Sequence, residues 1–238
     1  MSTIIAENMA IEFPIYGANS RSFKNAALQA VTGGVISKGV SDKVVIKALE
    51  GINFNWKSGD RIGLVGHNGC GKTTLLRALT GAYVPTGGTL EIKGTVSSML
   101  SISLGMEGDA TGIENIYLRG TLLGINKSEL KRFAEEVIEF SELGDYIYMP
   151  MRTYSSGMMM RIAFGISTAV SADIVLMDEW LSVGDAEFAE KAELRLQKLV
   201  SNAKILVIAS HNSGLIDKMC NRVIHLEHGK VISDKYTK

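Results

Sequence analysis

The stretch GHNGCGKTT, residues 66–74, constrains this chain more than any other. It fits G-x-x-x-x-G-K-[ST]; the apolar run RIGLVG leads into it, and LLRALTG, read as a helix closed at Gly81, follows. A strand feeding such a loop and leaving through a helix is a means of seating phosphate groups. Glycines let the backbone turn its N–H groups inward, and the helix N-terminus adds a partial positive charge. Lys72 brings an ammonium to the β and γ phosphates of a nucleotide, and the Thr73 hydroxyl offers a ligand to Mg²⁺. Gly66, His67, Asn68, Gly69, Cys70, Gly71, Lys72, Thr73 and Thr74 are therefore read together as the phosphate-binding loop. Cys70, at a helix start, is expected to lose its proton readily, so that alkylation blocks activity and nucleotide protects.

Far downstream, IVLMDEW carries four apolar residues into Asp178, placed to support Mg²⁺, with Glu179 next as a general base for the attacking water. ILVIASH ends in His211, within expected reach of the γ-phosphate. Both runs are rich in β-branched residues and read as buried parallel strands, while KSELKRFAEEVIEFSEL shows helical spacing of apolar residues. Strands alternating with helices predict an α/β fold. SDKVVIKALEGINFNWKSGD alternates in the manner of paired antiparallel strands, with a turn at Gly59 and Asp60. A guanine-nucleotide reading fails. DATG (109–112) and NKSE (126–129) lie too close together for separate strands, and Glu129 stands where an aspartate is needed.

Composition narrows the classes. The 238 residues are 46% hydrophobic and carry 25 basic and 25 acidic side chains, so there is no global charge to draw nucleic acid, and no nucleic-acid partner is expected. The two cysteines form no ligand-type spacing, which favours a reducing compartment. The start MSTIIAENMAIEF does not read as a secretory leader and no run of eighteen apolar residues occurs, so the chain is expected to be cytosolic or held to a membrane by something else.

Against this background TYSSGMMMRIAF, which alone would pass for a capped core helix, gains a second meaning. Tyr154-Ser155-Ser156-Gly157-Met158 resembles the LSGGQ signature of ATP-binding cassette (ABC) ATPases, and the other marks of that family fall in order around it. They are the Walker A loop at 66–74, the Walker B strand at 174–178, the glutamate at 179, a D-loop SVGD at 182–185 containing Asp185, and a switch histidine at 211. The resemblance implies a single ABC-type P-loop ATPase domain over 1–238, with an N-terminal antiparallel β subdomain and a helical subdomain at about 105–165. It implies ATP and Mg²⁺ as cofactors, with Thr73 and Asp178 on the metal. It also implies a homodimer in which Ser155, Ser156 and Gly157 of one copy contact the ATP held by the other. Phe13 or Tyr16 in EFPIY is expected to stack on adenine, Tyr16 being preferred.

One family mark is missing. No glutamine occurs between Thr73 and Ser155, although the family usually places one there to touch Mg²⁺ and to link to the permease. Ser101, Ser103 and Glu107 are candidates for its place. LSISLGMEGDATGIENI, MPMRTYSSGM and VGDAEF resemble the ATP-binding subunits of bacterial polysaccharide exporters for O-antigen, teichoic acid or capsule. That resemblance implies export of a lipid-linked polysaccharide, with O-antigen the expected cargo. The chain would sit peripherally on the cytoplasmic face of the inner membrane, with two copies of an integral membrane permease subunit. Because it stops at Lys238, no C-terminal carbohydrate-binding domain is expected. A drug or lipid exporter fits less well, since the glutamine is missing. A soluble, non-transport ABC ATPase usually carries two cassettes or a long coiled coil. Residues 17–42 stand apart, as a surface loop or as a short helix that docks on the permease or membrane.

Overall fold

The computed structural model describes residues 1–15, 35–38, 44–100, 102–103, 105–179 and 186–237. The chain divides into two compact units, the first Met1–Val96 with Asp173–Trp180 and Lys204–Lys238, the second Ser97–Ala172 with Leu181–Ala203. The helical segment read at 105–165 falls within the second.

In the first unit, β1 (Thr3–Pro14), β2 (Val35–Lys38), β3 (Val44–Lys57) and β5 (Gly87–Lys93) form an antiparallel sheet in the order β2-β3-β1-β5. Buried positions in β1 change parity along the strand, from Ile4 and Ala6 to Met9 and Ile11. Asn8, at φ 47°, makes the switch, and the register with β3 shifts there. Without that bulge Met9 and Ile11 would face solvent. Residues 44–57, read as paired strands, are instead one 14-residue strand. Its partners are β1 and β2, and the turn after it leads into a parallel strand. Of 17–42, the described part is β2, a strand that neither a loop nor a helix reading anticipates; the expected helix face from Phe23 to Val31 lies outside the described residues.

A second sheet holds β4 (Arg61–Val65), β7 (Ile174–Asp178), β8 (Ile205–Ala209), β9 (Arg222–Glu227) and β10 (Lys230–Tyr236), lying in the order β10-β9-β4-β8-β7. The pairs among β9, β4, β8 and β7 are parallel, as the apolar runs predict, and β7 and β8 are buried almost throughout. A short strand, β6 (Val96–Ser98), falls where the chain passes out of the first unit. Helix α1 (Lys72–Leu79) ends at Thr80, with Gly81 left-handed at φ 79°. The Gly81 amide donates to Ala78 and that of Ala82 to Arg77, which satisfies the terminal carbonyls and confirms Gly81 as the stop.

The second unit contains α2 (Gly112–Leu122), α3 (Lys127–Ser141), α4 (Ser156–Ala169) and α5 (Ala186–Asn202). Phe133, Ala134, Val137 and Phe140 occupy one face of α3 and are buried. Ile116, Ile147, Met151, Ile162 and Ile166 join most of that face in a shared core, at roughly 2 kcal/mol for each large side chain. The guanine-like spellings have plain structural roles. Thr111 and Glu114 form a capping box on α2, Asp109 pairs with Arg152, and Asn126 stands just before the first residue of α3. A further helix, α6 (Ser213–Met219), belongs to the first unit. Among the described residues, no helix is long and apolar enough to cross a membrane.

Candidate functional site

The parallel strands of the first unit all end on one side, and the phosphate-binding loop lies there, between the end of β4 and the start of α1. Such carboxyl-end crevices are where ligands of open α/β sheets bind. Two glycines are required by the packing. A side chain on Gly66 would meet the Leu226 carbonyl at 2.2 Å; one on Gly71, at φ 114°, would meet Leu49 at 2.9 Å and the Ala48 carbonyl at 3.0 Å. The loop is thus pressed onto β9 and β3, and its far side is left to face a ligand. Lys72 is buried, and its ammonium donates to the Gly66 carbonyl at 2.7 Å and the His67 carbonyl at 3.1 Å.

Cys70 is wholly buried, its sulfur 3.7 Å from the Lys72 ammonium. The expectation of a readily alkylated thiol does not suit this setting, because a reagent cannot reach it without opening the loop. Cys70 acts here as packing. His67 and Asn68 are exposed, with the His67 ring 4.9 Å from that of His228.

The Thr73 hydroxyl donates to an Asp178 carboxylate oxygen at 2.7 Å, which joins the start of α1 to the end of β7. A hydroxyl and a carboxylate are hard oxygen donors, the kind Mg²⁺ takes beside phosphate and water. Glu179 is the next residue. Its backbone is left-handed, at φ 69°, and its amide donates to the Ala209 carbonyl at 2.7 Å. Its carboxylate accepts from the Ser210 hydroxyl at 2.7 Å and from the His211 backbone amide at 3.0 Å. The structure therefore brings Glu179 and His211 together through the His211 main chain, and the imidazole itself is on an exposed residue.

Ser210 escaped the sequence reading. The signal for it is the parallel register: Asp178 pairs with Ala209, so the residue after each, Glu179 and Ser210, sit side by side. Only the knowledge that β7 and β8 are neighbours makes that visible.

In the second unit, Ser155 caps α4 by accepting from the Met158 amide at 3.2 Å, and Ser156 and Gly157 form its first turn. Ser155 and Ser156 are exposed, so the end of a 14-residue helix is presented to solvent. Tyr154, just before, donates its hydroxyl to the Tyr146 carbonyl at 2.7 Å, and burial holds its phenol above the usual range. Asn115, fully buried, was also missed. It accepts from the Glu107 amide and donates to the carbonyls of Glu107 and Thr111, which sets the path of the chain into α2. Of the candidates for the missing glutamine, Ser103 and Glu107 are exposed and Ser101 lies outside the described residues. Tyr16 and Asp185 also lie outside them. Phe13 is half-buried near the end of β1 and meets Tyr83 edge-on, with ring centres 5.1 Å apart.

Comparison with known proteins agrees with this layout. Residues 49–182 match the ABC transporter family model. The chain is 41% identical over 234 residues to the O-antigen export system ATP-binding protein RfbE of Yersinia enterocolitica, covering 98% of each. It is 39% identical over 184 residues to the O-antigen export system ATP-binding protein RfbB of Klebsiella pneumoniae, covering 77% of this chain and 75% of that one. At the same identity it matches the teichoic acids export ATP-binding protein TagH of Bacillus anthracis, of which it spans only 33%. Among solved structures, a dimeric ATP-binding cassette in a post-hydrolysis state bound to ADP and Pi superimposes with a TM-score of 0.70 at 19% identity, over 99% of both chains. At that identity the likeness speaks for the fold, which is that of an ABC ATPase cassette. The chain belongs to the ABC transporter family.

Proposed function

We propose that this chain is the ATP-hydrolysing subunit of a bacterial exporter that moves a lipid-linked polysaccharide of the O-antigen type across the inner membrane. The observation that carries the reading is the 41% identity to an O-antigen export ATP-binding protein across 98% of both chains. A teichoic acids export protein and a second O-antigen export protein each match 77% of this chain at 39% identity.

The residues of the first unit supply the chemistry. Lys72 gives up neutral carbonyls for phosphate oxygens, which are charged and hence stronger acceptors. Thr73 and Asp178 would hold Mg²⁺, which when bound neutralises phosphate charge. Glu179 takes a proton from water as its oxygen attacks the γ-phosphorus; the bond to the bridging oxygen breaks, and ADP and inorganic phosphate leave. The His211 side chain contacts the γ-phosphate, and Phe13 or Tyr16 stacks on adenine.

Two copies close head to tail, so that the α4 N-terminus of each, with Ser155, Ser156 and Gly157, supplies N–H donors and a favourable dipole to the nucleotide held by its partner. Asp185 lies in the D-loop of the same interface. Closing and reopening drive two copies of a permease subunit, which hold the chain at the cytoplasmic face. Glu107, its main chain fixed by Asn115, takes the place of the absent glutamine in that coupling.

The test is Glu179→Gln in the native host. Loss of surface polysaccharide, with glycan accumulating inside on its lipid carrier, is the expected outcome. Normal surface glycan, with the variant present, binding ATP and no longer hydrolysing it, would overturn the cargo and leave the ATPase.

A further inference from the structure

We infer that Ser210 is a positioning residue for hydrolysis, holding the Glu179 carboxylate in the one orientation from which it can receive a proton from the attacking water. The inference rests on the reading of Glu179 as the general base and names what aims it.

Three observations converge. Ser210, just past the end of β8, is 2% exposed, yet its hydroxyl spends its single proton on Glu179 at 2.7 Å rather than on a backbone carbonyl. The lone-pair side of that hydroxyl is also occupied, because the Asn212 amide donates to it at 3.1 Å. A hydroxyl that accepts on one side has its proton directed to the other, so the rotor is set rather than free. Asn212 is fixed in turn as the cap of α6, accepting from the Leu215 amide at 3.1 Å. The aim of the Ser210 proton thus follows from the start of a helix.

Glu179 needs such support. Its left-handed backbone is uncommon for a residue with a side chain and offers no packed surface of its own, since the residue is exposed. Two hydrogen bonds, one to each carboxylate oxygen, restrain the side chain where packing does not. An ionised carboxylate has about four lone-pair sites, so both oxygens keep room to accept from water. The His211 donor is a backbone amide and survives any side-chain change there. The Ser210 donor is the only one of the two that a point substitution removes.

The experiment compares steady-state ATP hydrolysis by Ser210→Ala, Ser210→Thr, Glu179→Gln and the double variant Ser210→Ala with Glu179→Gln, with slow rates followed by single-turnover phosphate release. Ser210→Ala is expected to lower kcat about tenfold while KM and nucleotide affinity stay within about twofold, since the interaction serves the chemical step and not binding. Ser210→Thr, which keeps the hydroxyl, should recover most of the rate. In the Glu179→Gln background the alanine should cost nothing further, as two residues acting through one group are not additive. An unchanged kcat in Ser210→Ala would overturn the inference, and so would an equal loss in both backgrounds, which marks a general structural role. Wild-type hydrolysis by Glu179→Gln would instead remove the general-base reading beneath it. Should Ser210→Ala fold poorly, Ser210→Cys, near in size and weak as a donor, replaces it with the same expectations.

Discussion

Arg222, at the start of β9, donates to both Asp234 oxygens at 2.7 Å, to buried Asp60 at 3.1 Å and to the Asn55 carbonyl, while Tyr236 donates to the second Asp60 oxygen. Lys72, at the opposite end of the same parallel strands, donates to carbonyls of its own loop. At the amino ends, charges are matched side chain to side chain: Asp173 pairs with Lys204 at 2.7 Å, and the Asn221 side chain ties the Arg61 amide to the Gly59 carbonyl. At the carboxyl ends, Lys72 is held by backbone carbonyls, and Asp178 and Glu179 by hydroxyls and a backbone amide, all of them neutral. The hydrogen bonds that Arg222 donates to Asp234, against the cost of burial, push its guanidinium above its already high ordinary value. One end is closed by charged partners of its own; the other has neutral partners only, as the proposed nucleotide site requires.

Substitutions at the two ends should therefore fail in different ways. The largest effect is expected for Lys72→Ala: hydrolysis falls about a thousandfold, ~4 kcal/mol of barrier, with only a small change in melting temperature. A nucleotide-binding titration and a phosphate-release assay, run beside a melt, would show it. Arg222→Ala should invert that pattern. It leaves the 6%-exposed Asp60 carboxylate without its cation, so the protein loses about 3 kcal/mol of stability in a denaturant titration. The rate per folded molecule should stay near that of the parent. If both variants lose activity and stability together, the division between the ends is wrong.

The smallest effect sharpens the same contrast through pH. The Lys204 ammonium, with help from the Thr95 amide, holds the Asp173 carboxyl below its ordinary value of 3.8. A carboxyl lowered in the folded state adds stability that is complete above the unfolded value and disappears as pH falls through the folded one. Asp173→Asn should thus be slightly less stable than the parent at neutral pH and converge with it in acid once the parent's carboxyl is protonated in the folded state, as thermal melts across pH would reveal. A gap that persists at low pH would assign the loss to packing.

Much of the site was legible because its chemistry is written contiguously. The glycines, Lys72 and Thr73 lie within nine residues of one another, and strand and helix signals flank them. Asp178 was recognisable from the four apolar residues before it. The cap at Ser155 was legible for the same reason, since capping depends on residues two or three apart. Asn8 was not. No neighbouring residue marks it as a bulge, and its left-handed turn is decided by strands on both sides.

The sequence by itself determined the α/β class, the glycine-rich loop between β4 and α1, and the helix capped by Ser155. All of these depend on neighbours in the chain, through backbone geometry and local hydrogen bonds. Tertiary structure alone decided which strands lie side by side, and so which groups meet across them. It set Ser210 against Glu179, joined Arg222 to Asp60, and buried Cys70 beneath the loop it belongs to. Those contacts span up to 162 residues of chain, and no local pattern records a pairing that forms only when the sheet does.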